Sequence, residues 1–220
     1  MKERPILFSA PMVRALLDGS KTQTRRVVKV QPPVRGDLRV LARHRTADGA
    51  FIDYMWWPFS ESDGGGKAFT CPYGQPGDHL WVRETFAASA HGATAAVMYR
   101  ADSHVRPGLG DFEGESWKPS IHMPRAASRI LLEVVSVRVE QLQDCNKQDA
   151  IAEGIHRYEH FWRDAEFPLD DVAYEPVKGW PTRYSCPVQA YQALWESING
   201  AGSWGANPWV WVVEFKRVAP

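Results

Sequence analysis

The chain has 220 residues, 44% of them hydrophobic and 24% charged, with Lys plus Arg and Asp plus Glu equal at 26 each. That length suits one decorated domain, the composition excludes wholesale disorder, and zero net charge excludes a bulk polycation that coats nucleic acid, though not a local basic patch. Three scattered cysteines, Cys71, Cys145 and Cys186, form no CxxC pair, which excludes a zinc ribbon or disulfide scaffold and points to reduced thiols.

In chain order, Pro5 to Phe8 predicts a short strand. A helix follows, capped by Ser9, with Pro11 in its first turn, Val13, Leu16 and Leu17 facing inward, and Gly19 as its stop. Thr22 to Val30, rich in β-branched residues and arginines, predicts a strand that Pro32 and Pro33 end. Residues 32–75 lose any sustained period and carry the aromatic knot Tyr54, Trp56, Trp57 and Phe59; they form a long insertion with room for a hairpin. The turn Gly77-Asp78 opens a strand through Leu80, Val82 and Phe86, with Val97 to Ala101 as its hairpin partner. Ser128 to Leu142 has few polar positions before Arg138 and predicts a central strand. Asn146 caps a short helix carrying Ala150, Ile151 and Ile155, broken by Gly154. Residues 156–186 form a second, acidic insertion. Pro187 to Ile198 is an amphipathic helix with Tyr191, Leu194, Trp195 and Ile198 on one face, and Trp209 to Phe215 is an apolar closing strand. The order predicts one α+β domain over 1–220, a curved sheet or small barrel flanked by helices, with insertions at about 32–75 and 156–186.

No apolar run approaches about 18 residues and the start lacks the apolar stretch of a secretion signal, so a cytoplasmic protein with no membrane partner is expected. Charge is uneven. Between Lys21 and Arg45 eight basic residues face Asp37 alone, and between Glu159 and Glu175 six acidic residues face Arg163 alone. Either the two stretches pair with each other, or the first is a basic surface aimed at phosphates. Two motif matches are discounted. His156-Arg157-Tyr158-Glu159-His160 spells the H-x-x-E-H of inverted zinc peptidases, but it follows Gly154 in a loop-like insertion where that chemistry needs a helix. Gly64-Gly65-Gly66-Lys67 has Ala68 where a phosphate loop needs Ser or Thr.

Gly19-Ser20-Lys21-Thr22-Gln23-Thr24-Arg25-Arg26 gathers a lysine, two threonines, a glutamine and two arginines just past a helix end. A plain strand would put Lys21, Gln23 and Arg25 on one face and Thr22 and Thr24 on the other, so Lys21 and Thr24 meet only if the backbone bends near Ser20 to Thr22. The segment resembles the helix-then-G-x-K-T-x-T-x-R signature of ASCH domains, a branch of the PUA-like superfamily. Further blocks follow in the same order: Gly77-Asp78-His79-Leu80-Trp81-Val82 resembles the family's G-D-x-L-x-V strand, and Asp149-Ala150-Ile151-Ala152-Glu153-Gly154 its short helix. Trp209 to Lys216 resembles its closing strand, and the wording is similar to ASCH proteins of phage and prophage type. The resemblance covers about half the chain, in four blocks spread from one end to the other, and leaves out both insertions.

The resemblance implies a small β-barrel flanked by helices, with a cleft for a nucleobase, nucleoside or nucleic acid. One small bacterial branch hydrolyses the acetamide of N4-acetylcytidine, and its lysine, threonine and glutamate fall on Lys21, Thr24 and Glu153. In that chemistry Thr24 supplies a nucleophilic hydroxyl, a neutral Lys21 takes its proton, and Glu153 orients the lysine or assists the leaving amine, with no metal or other cofactor. Alanine at any of the three should abolish turnover with the fold intact. Arg25, Arg26, Trp81, Arg83 and Glu84 are candidate substrate-binding groups; for Arg83 and Glu84 a rim ion pair is the plainer role. The same residues would also suit a non-catalytic reader of RNA or modified DNA, or a ribonuclease. The expected partner is a modified nucleoside or nucleic acid, with no obligatory protein partner. Trp56, Trp57, Trp162 and Trp180 in the insertions are read mainly as core, with stacking on bases as the alternative.

Overall fold

The apolar runs settle into a five-stranded sheet with three helices against it. The computed structural model describes residues 1–31, 36–40, 54–58, 67–89, 96–102, 116–158 and 173–219. In chain order the elements are β1 (Glu3–Leu7), α1 (Ala10–Leu17), β2 (Gln23–Val27), β3 (Gly36–Val40), β4 (Tyr54–Pro58), β5 (Lys67–Phe69), β6 (His79–Arg83) and β7 (Phe86–Ser89). Then follow β8 (Ala96–Tyr99), β9 (Leu131–Gln141), α2 (Lys147–Ala152), β10 (His156–Tyr158), β11 (Ala173–Glu175), α3 (Pro187–Asn199) and β12 (Trp209–Val218).

The main sheet runs β1-β6-β9-β12-β2, with β1 and β6 parallel and the other pairs antiparallel. β9 is its middle strand, as its continuous apolar run predicts. In β12 the four consecutive residues Val210, Trp211, Val212 and Val213 are all buried, so both faces of that strand are covered. Val13 and Leu16 of α1 and Ala190, Tyr191 and Leu194 of α3 join the same core. Each such aliphatic side chain contributes roughly 1.5–3 kcal/mol on burial.

Among the described residues the sheet stays open rather than closing into a barrel: β1 and β2 are its two edges and do not pair. They nevertheless curl within one side chain of each other, because Nη2 of Arg26 on β2 donates to the Leu7 carbonyl on β1 at 2.6 Å. Other expectations need correction. β8 pairs with β7, not with β6, whose neighbours are β1 and β9. β2 stops at Val27, short of Val30. Leu17, Ile151 and Ile198 face solvent, each at the solvent edge of an otherwise buried helix face. The first insertion contributes β3-β4-β5, a three-stranded antiparallel sheet rather than one hairpin, and the second contributes the β10-β11 pair. Phe69 of β5 meets Trp211 edge-on at 5.6 Å. Trp162 lies outside the described residues, as do Gly64–Gly66. No helix among the described residues is long and apolar enough to cross a membrane.

The helix ends bring Lys21 to Glu153. Ser9 starts α1 from extended backbone without a side-chain cap, and Pro11 occupies its first turn. Past α1 the chain turns at Gly19, and the Lys21 amide donates to the Ala15 carbonyl at 3.0 Å. The Thr22 amide then donates to Ala152 at the end of α2 at 2.9 Å, while its carbonyl accepts from Phe215 of β12 at 2.9 Å. The α2 start is a reciprocal cap between Asn146 and Asp149, as the sequence predicts. Its end is Gly154, at φ +92°.

A Cβ on Gly154 would lie 3.1 Å from both Ala15 Cβ and Lys21 Cβ, whereas one on Gly19, also at positive φ, would meet open space. Gly154→Ala therefore adds steric conflict to the left-handed strain that Gly19→Ala carries alone. We expect Gly19→Ala to cost about 1 kcal/mol and Gly154→Ala about 2–3 kcal/mol in urea denaturation. Equal losses would show that the contact around Gly154 is slack.

Candidate functional site

A cavity of about 180 Å³ opens where the sheet fails to close, between the facing edges β1 and β2. Its polar lining includes Lys21, Thr24, Arg25, Arg26 and Glu153; its aromatic walls are Phe8 from the end of β1 and Tyr191 and Trp195 from α3. Leu7, Val27 and Ile198 line it while remaining solvent-exposed, and so form an apolar rim.

Lys21 and Glu153 form an isolated antiparallel bridge through their backbones, and their side chains join as well. Lys21 Nζ donates to the Glu153 carbonyl at 2.7 Å and to its Oε2 at 3.0 Å, and stands 5.6 Å from the centre of the Phe8 ring. Arg25 Nη1 donates to the other carboxylate oxygen of Glu153 at 3.3 Å, and its Nη2 reaches Glu140 at 2.5 Å and Asp149 at 3.3 Å. Lys21 and Arg25 are each 4% exposed and Glu153 3%. One carboxylate thus serves two buried cations. Behind it Arg138 pairs with Glu140 at 2.9 Å, with Asp149 at 3.1 Å, and with Glu214. Gln23 donates to Asp149 at 3.3 Å.

Burial pushes the Lys21 ammonium below the ordinary lysine range; Glu153 pulls it back only in part, and Arg26 and Arg25 add to the lowering. Burial also works against the charged form of Arg25, but Glu153 and its other neighbours more than offset it. The Tyr191 hydroxyl is driven well above its usual value by burial and by Glu153. Burial pushes the Cys145 thiol up to about 12, so this cysteine beside Arg25 is a protonated thiol and not a nucleophile at neutral pH.

The structure gathers five of the eight sequence-predicted site residues into this cavity and leaves three out. Lys21, Thr24, Arg25, Arg26 and Glu153 line it. No hydrogen bond joins the Thr24 hydroxyl to Lys21 among the described residues; the lysine spends its donors on Glu153. Trp81, Arg83 and Glu84 do not line it: β6 turns Leu80 and Val82 to the core and Trp81 and Arg83 to the opposite face, while Glu84, just past the strand, is buried against Arg129. Arg83 packs on the Trp81 ring at 5.2 Å and donates to the carbonyls of Met123, at 3.1 Å, and Ile121. Glu84 is an ion-pair partner, held by Arg129 at 2.9 and 3.1 Å while Arg129 also holds Asp102 at 2.8 Å.

The reading of residues 21–45 as a basic surface is corrected in part, since Lys21 and Arg25 are buried against carboxylates. Arg35, Arg43 and Arg45 lie outside the described residues. His156 to Tyr158 is strand β10 and not helix, and Glu159 and His160 lie outside the described residues. Among the described residues no group of three or more His, Cys, Asp or Glu is placed to hold a metal ion. Sequence reasoning missed the site roles of Phe8, Glu140, Tyr191 and Trp195. The i, i+4 pair Tyr191 and Trp195 was legible only as an apolar helix face, and the charge of Glu140 only as the frayed end of a central strand. No family model, curated protein or solved structure matches the chain.

Two predictions follow from the buried charges. Glu153→Gln leaves two buried cations short of a carboxylate, and we expect a loss of about 3–5 kcal/mol in chemical denaturation. Glu153 is therefore not separable from the fold in the way the sequence suggests, and a loss below about 1 kcal/mol would mean water replaces it. Second, between its lowered folded value and the 10.5 of a free lysine, Lys21 binds a proton in the unfolded chain that the folded chain has shed. Stability then rises with pH across that window. Wild type should gain stability relative to Lys21→Met as pH climbs toward about 10, and a pH-independent difference would place Lys21 at its ordinary value.

Proposed function

We propose that this chain is a metal-independent amidohydrolase of PUA-like, ASCH type that removes the acyl group from an N4-acylated cytosine nucleoside. The observation that carries the reading is the joining of Lys21 and Glu153, 132 residues apart in sequence, on the wall of one cavity that also holds Thr24. Its volume of about 180 Å³ lies below the ~300–1,000 Å³ of pockets for drug-sized ligands, which favours one ring and its acyl group over a stretch of polymer. The apolar rim and the Phe8, Tyr191 and Trp195 walls suit a flat heterocycle.

In this mechanism Thr24 Oγ1 attacks the acyl carbonyl carbon and passes its proton to a neutral Lys21 Nζ. The burial that depresses the lysine's pKa makes that neutral form accessible. Collapse of the tetrahedral intermediate breaks the carbon–nitrogen bond, and the proton on Lys21 goes to the departing N4, giving the free amine. Water then cleaves the threonine ester by the reverse proton path, releasing the carboxylic acid. Arg26 lines the cavity with no carboxylate partner among the described residues, so its charge is available to the developing oxyanion. Glu153 fixes Lys21 through two contacts, and Arg25 in turn fixes Glu153.

The test is incubation of purified protein with N4-acetylcytidine, with and without EDTA, following cytidine by chromatography. EDTA-resistant release is expected, falling about 10²–10⁴-fold in Lys21→Ala and Thr24→Ala while their circular dichroism matches wild type. Near-wild-type rates in either variant would sink the mechanism.

A further inference from the structure

The buried Arg25 guanidinium is shared unequally among its carboxylates. Its Nη2 donates to Glu140 Oε1 at 2.5 Å, whereas its contacts with Asp149 and with Glu153 are both 3.3 Å. Charge-assisted N–H···O bonds run at about 2.7–2.9 Å, so Arg25 binds Glu140 closely and Glu153 only through a stretched contact. Glu153 is left to serve Lys21, which it meets through Oε2 at 3.0 Å.

The strand register explains why Glu140 holds Arg25 so closely. Val212 of β12 is flanked by Arg25 on β2 and Arg138 on β9, so the two arginines share one cross-strand row, about 10 Å apart along it. Glu140 lies two residues past Arg138 on the same face of β9. Its carboxylate bridges the pair, Oε1 to Arg25 and Oε2 to Arg138 Nε at 2.9 Å. Arg138, partly exposed and paired also with Glu214, holds Glu140 from the solvent side. Charge contacts thus lead from Arg138 through Glu140, Arg25 and Glu153 to Lys21 at the cavity.

We propose that Glu140 is a positioning residue for Lys21: by holding Arg25 back from Glu153, it leaves the Glu153 carboxylate to the lysine and so sets its strength as a base. This deepens the reading above and rests on it for the catalytic consequence, though not for the titration of Lys21. The lysine faces Glu153 from the end of α2, Arg25 and Arg26 from β2 and the Phe8 ring from the end of β1, and Tyr191 of α3 lines the same cavity. Glu153 raises the lysine and the two arginines lower it, while Tyr191 is a neutral phenol. Around Arg25 stand Glu140 from β9, Asp149 and Glu153 from α2, and the protonated Cys145. Without the Glu140 contact Arg25 closes on Glu153, which weakens the carboxylate's hold on the ammonium and moves Lys21 further down. A base driven far below the working pH takes the Thr24 proton less readily, which gives Glu140 its catalytic value.

The Lys21 Cε resonance, identified by its loss in Lys21→Met, follows the titration by NMR without substrate. Glu140→Gln keeps the side chain's length and deletes its charge; Glu140→Asp keeps the charge and withdraws the carboxylate by one methylene. Both should lower the Lys21 midpoint by about half a pH unit. Each should also carry the acid limb of kcat/KM for N4-acetylcytidine to lower pH by the same amount. Glu214→Gln, which removes a carboxylate from the network but none from Arg25, should leave the midpoint in place. A midpoint unmoved in Glu140→Asp, or moved equally in Glu214→Gln, would overturn the proposal, because the charge and not the contact would then matter. A rate lowered at every pH with the limb fixed would also overturn it and leave Glu140 a purely structural part. If Glu140→Gln fails to fold, Glu140→Asp decides alone. A lowered midpoint without any cleavage would uphold the positioning role and remove the hydrolase, and cleavage with the midpoint unmoved would do the reverse.

Discussion

Two cations buried against a single carboxylate set the terms for everything around them. Taking Lys21, Arg25 and Glu153 out of water costs several kcal/mol per ion, and the cost is recovered only if the geometry is good and the remaining protons find acceptors. That requirement explains features that look unrelated. Glu153 must sit at the C-cap of α2, just past Ala152, for its carbonyl as well as its carboxylate to reach Lys21 Nζ. Gly154 must follow it, because the chain turns there at positive φ with no room for a Cβ beside Lys21. Arg25, on the neighbouring strand, needs Glu140 and Asp149 as well, and those two draw in Arg138 and Gln23. An apolar core of the same volume is often at least as stable as such a network, so stability alone does not account for it.

The same network separates two kinds of charged residue that the sequence presents alike. Arg129, Glu84 and Asp102 also form a cluster, with Arg129 3.9 Å from the centre of the Tyr99 ring. Burial raises the Glu84 carboxyl, and Arg129 pulls it back only in part. There Arg129 spends Nε and both Nη atoms on the carboxylates of Glu84 and Asp102. At Lys21 the lysine is shifted, a cavity adjoins it, and donors on its walls lack partners. Perturbed titration alone does not separate a site from a strut; a polar-lined cavity beside the shifted group is the geometric criterion that Lys21 meets.

How much of this was legible in the sequence follows from range. Local signals read correctly: the Asn146–Asp149 cap, Pro11 in the first turn of α1, the stop at Gly154, and the unbroken apolar run of β9. They are settled within four or five residues of themselves. Strand partners are not. Phe86 and Val97 alternate as a hairpin should, and nothing in β6 says that its neighbours are β1 and β9 instead. The face taken by Trp81 and Arg83 was invisible for the same reason, since a strand's polarity shows which residues alternate but not which side the cavity occupies. Lys21, Thr24 and Glu153 were named through a motif resemblance, and no local property of the chain joins residue 21 to residue 153.

Trp195 shows where composition misleads. On α3 it sits at helical spacing from Tyr191 and Leu194, a pattern that reads as core, and by burial it is core. A tryptophan in a fully apolar interior nevertheless has one polar atom to satisfy, and here the indole N–H has none. The open edge of the sheet is what changes its meaning. Had β1 and β2 paired, their backbone groups would have filled the gap and α3 would have packed on a closed surface. Because the Arg26 side chain, and not a backbone ladder, joins the two edges, the gap remains as a cavity, and the buried face of α3 becomes one of its walls.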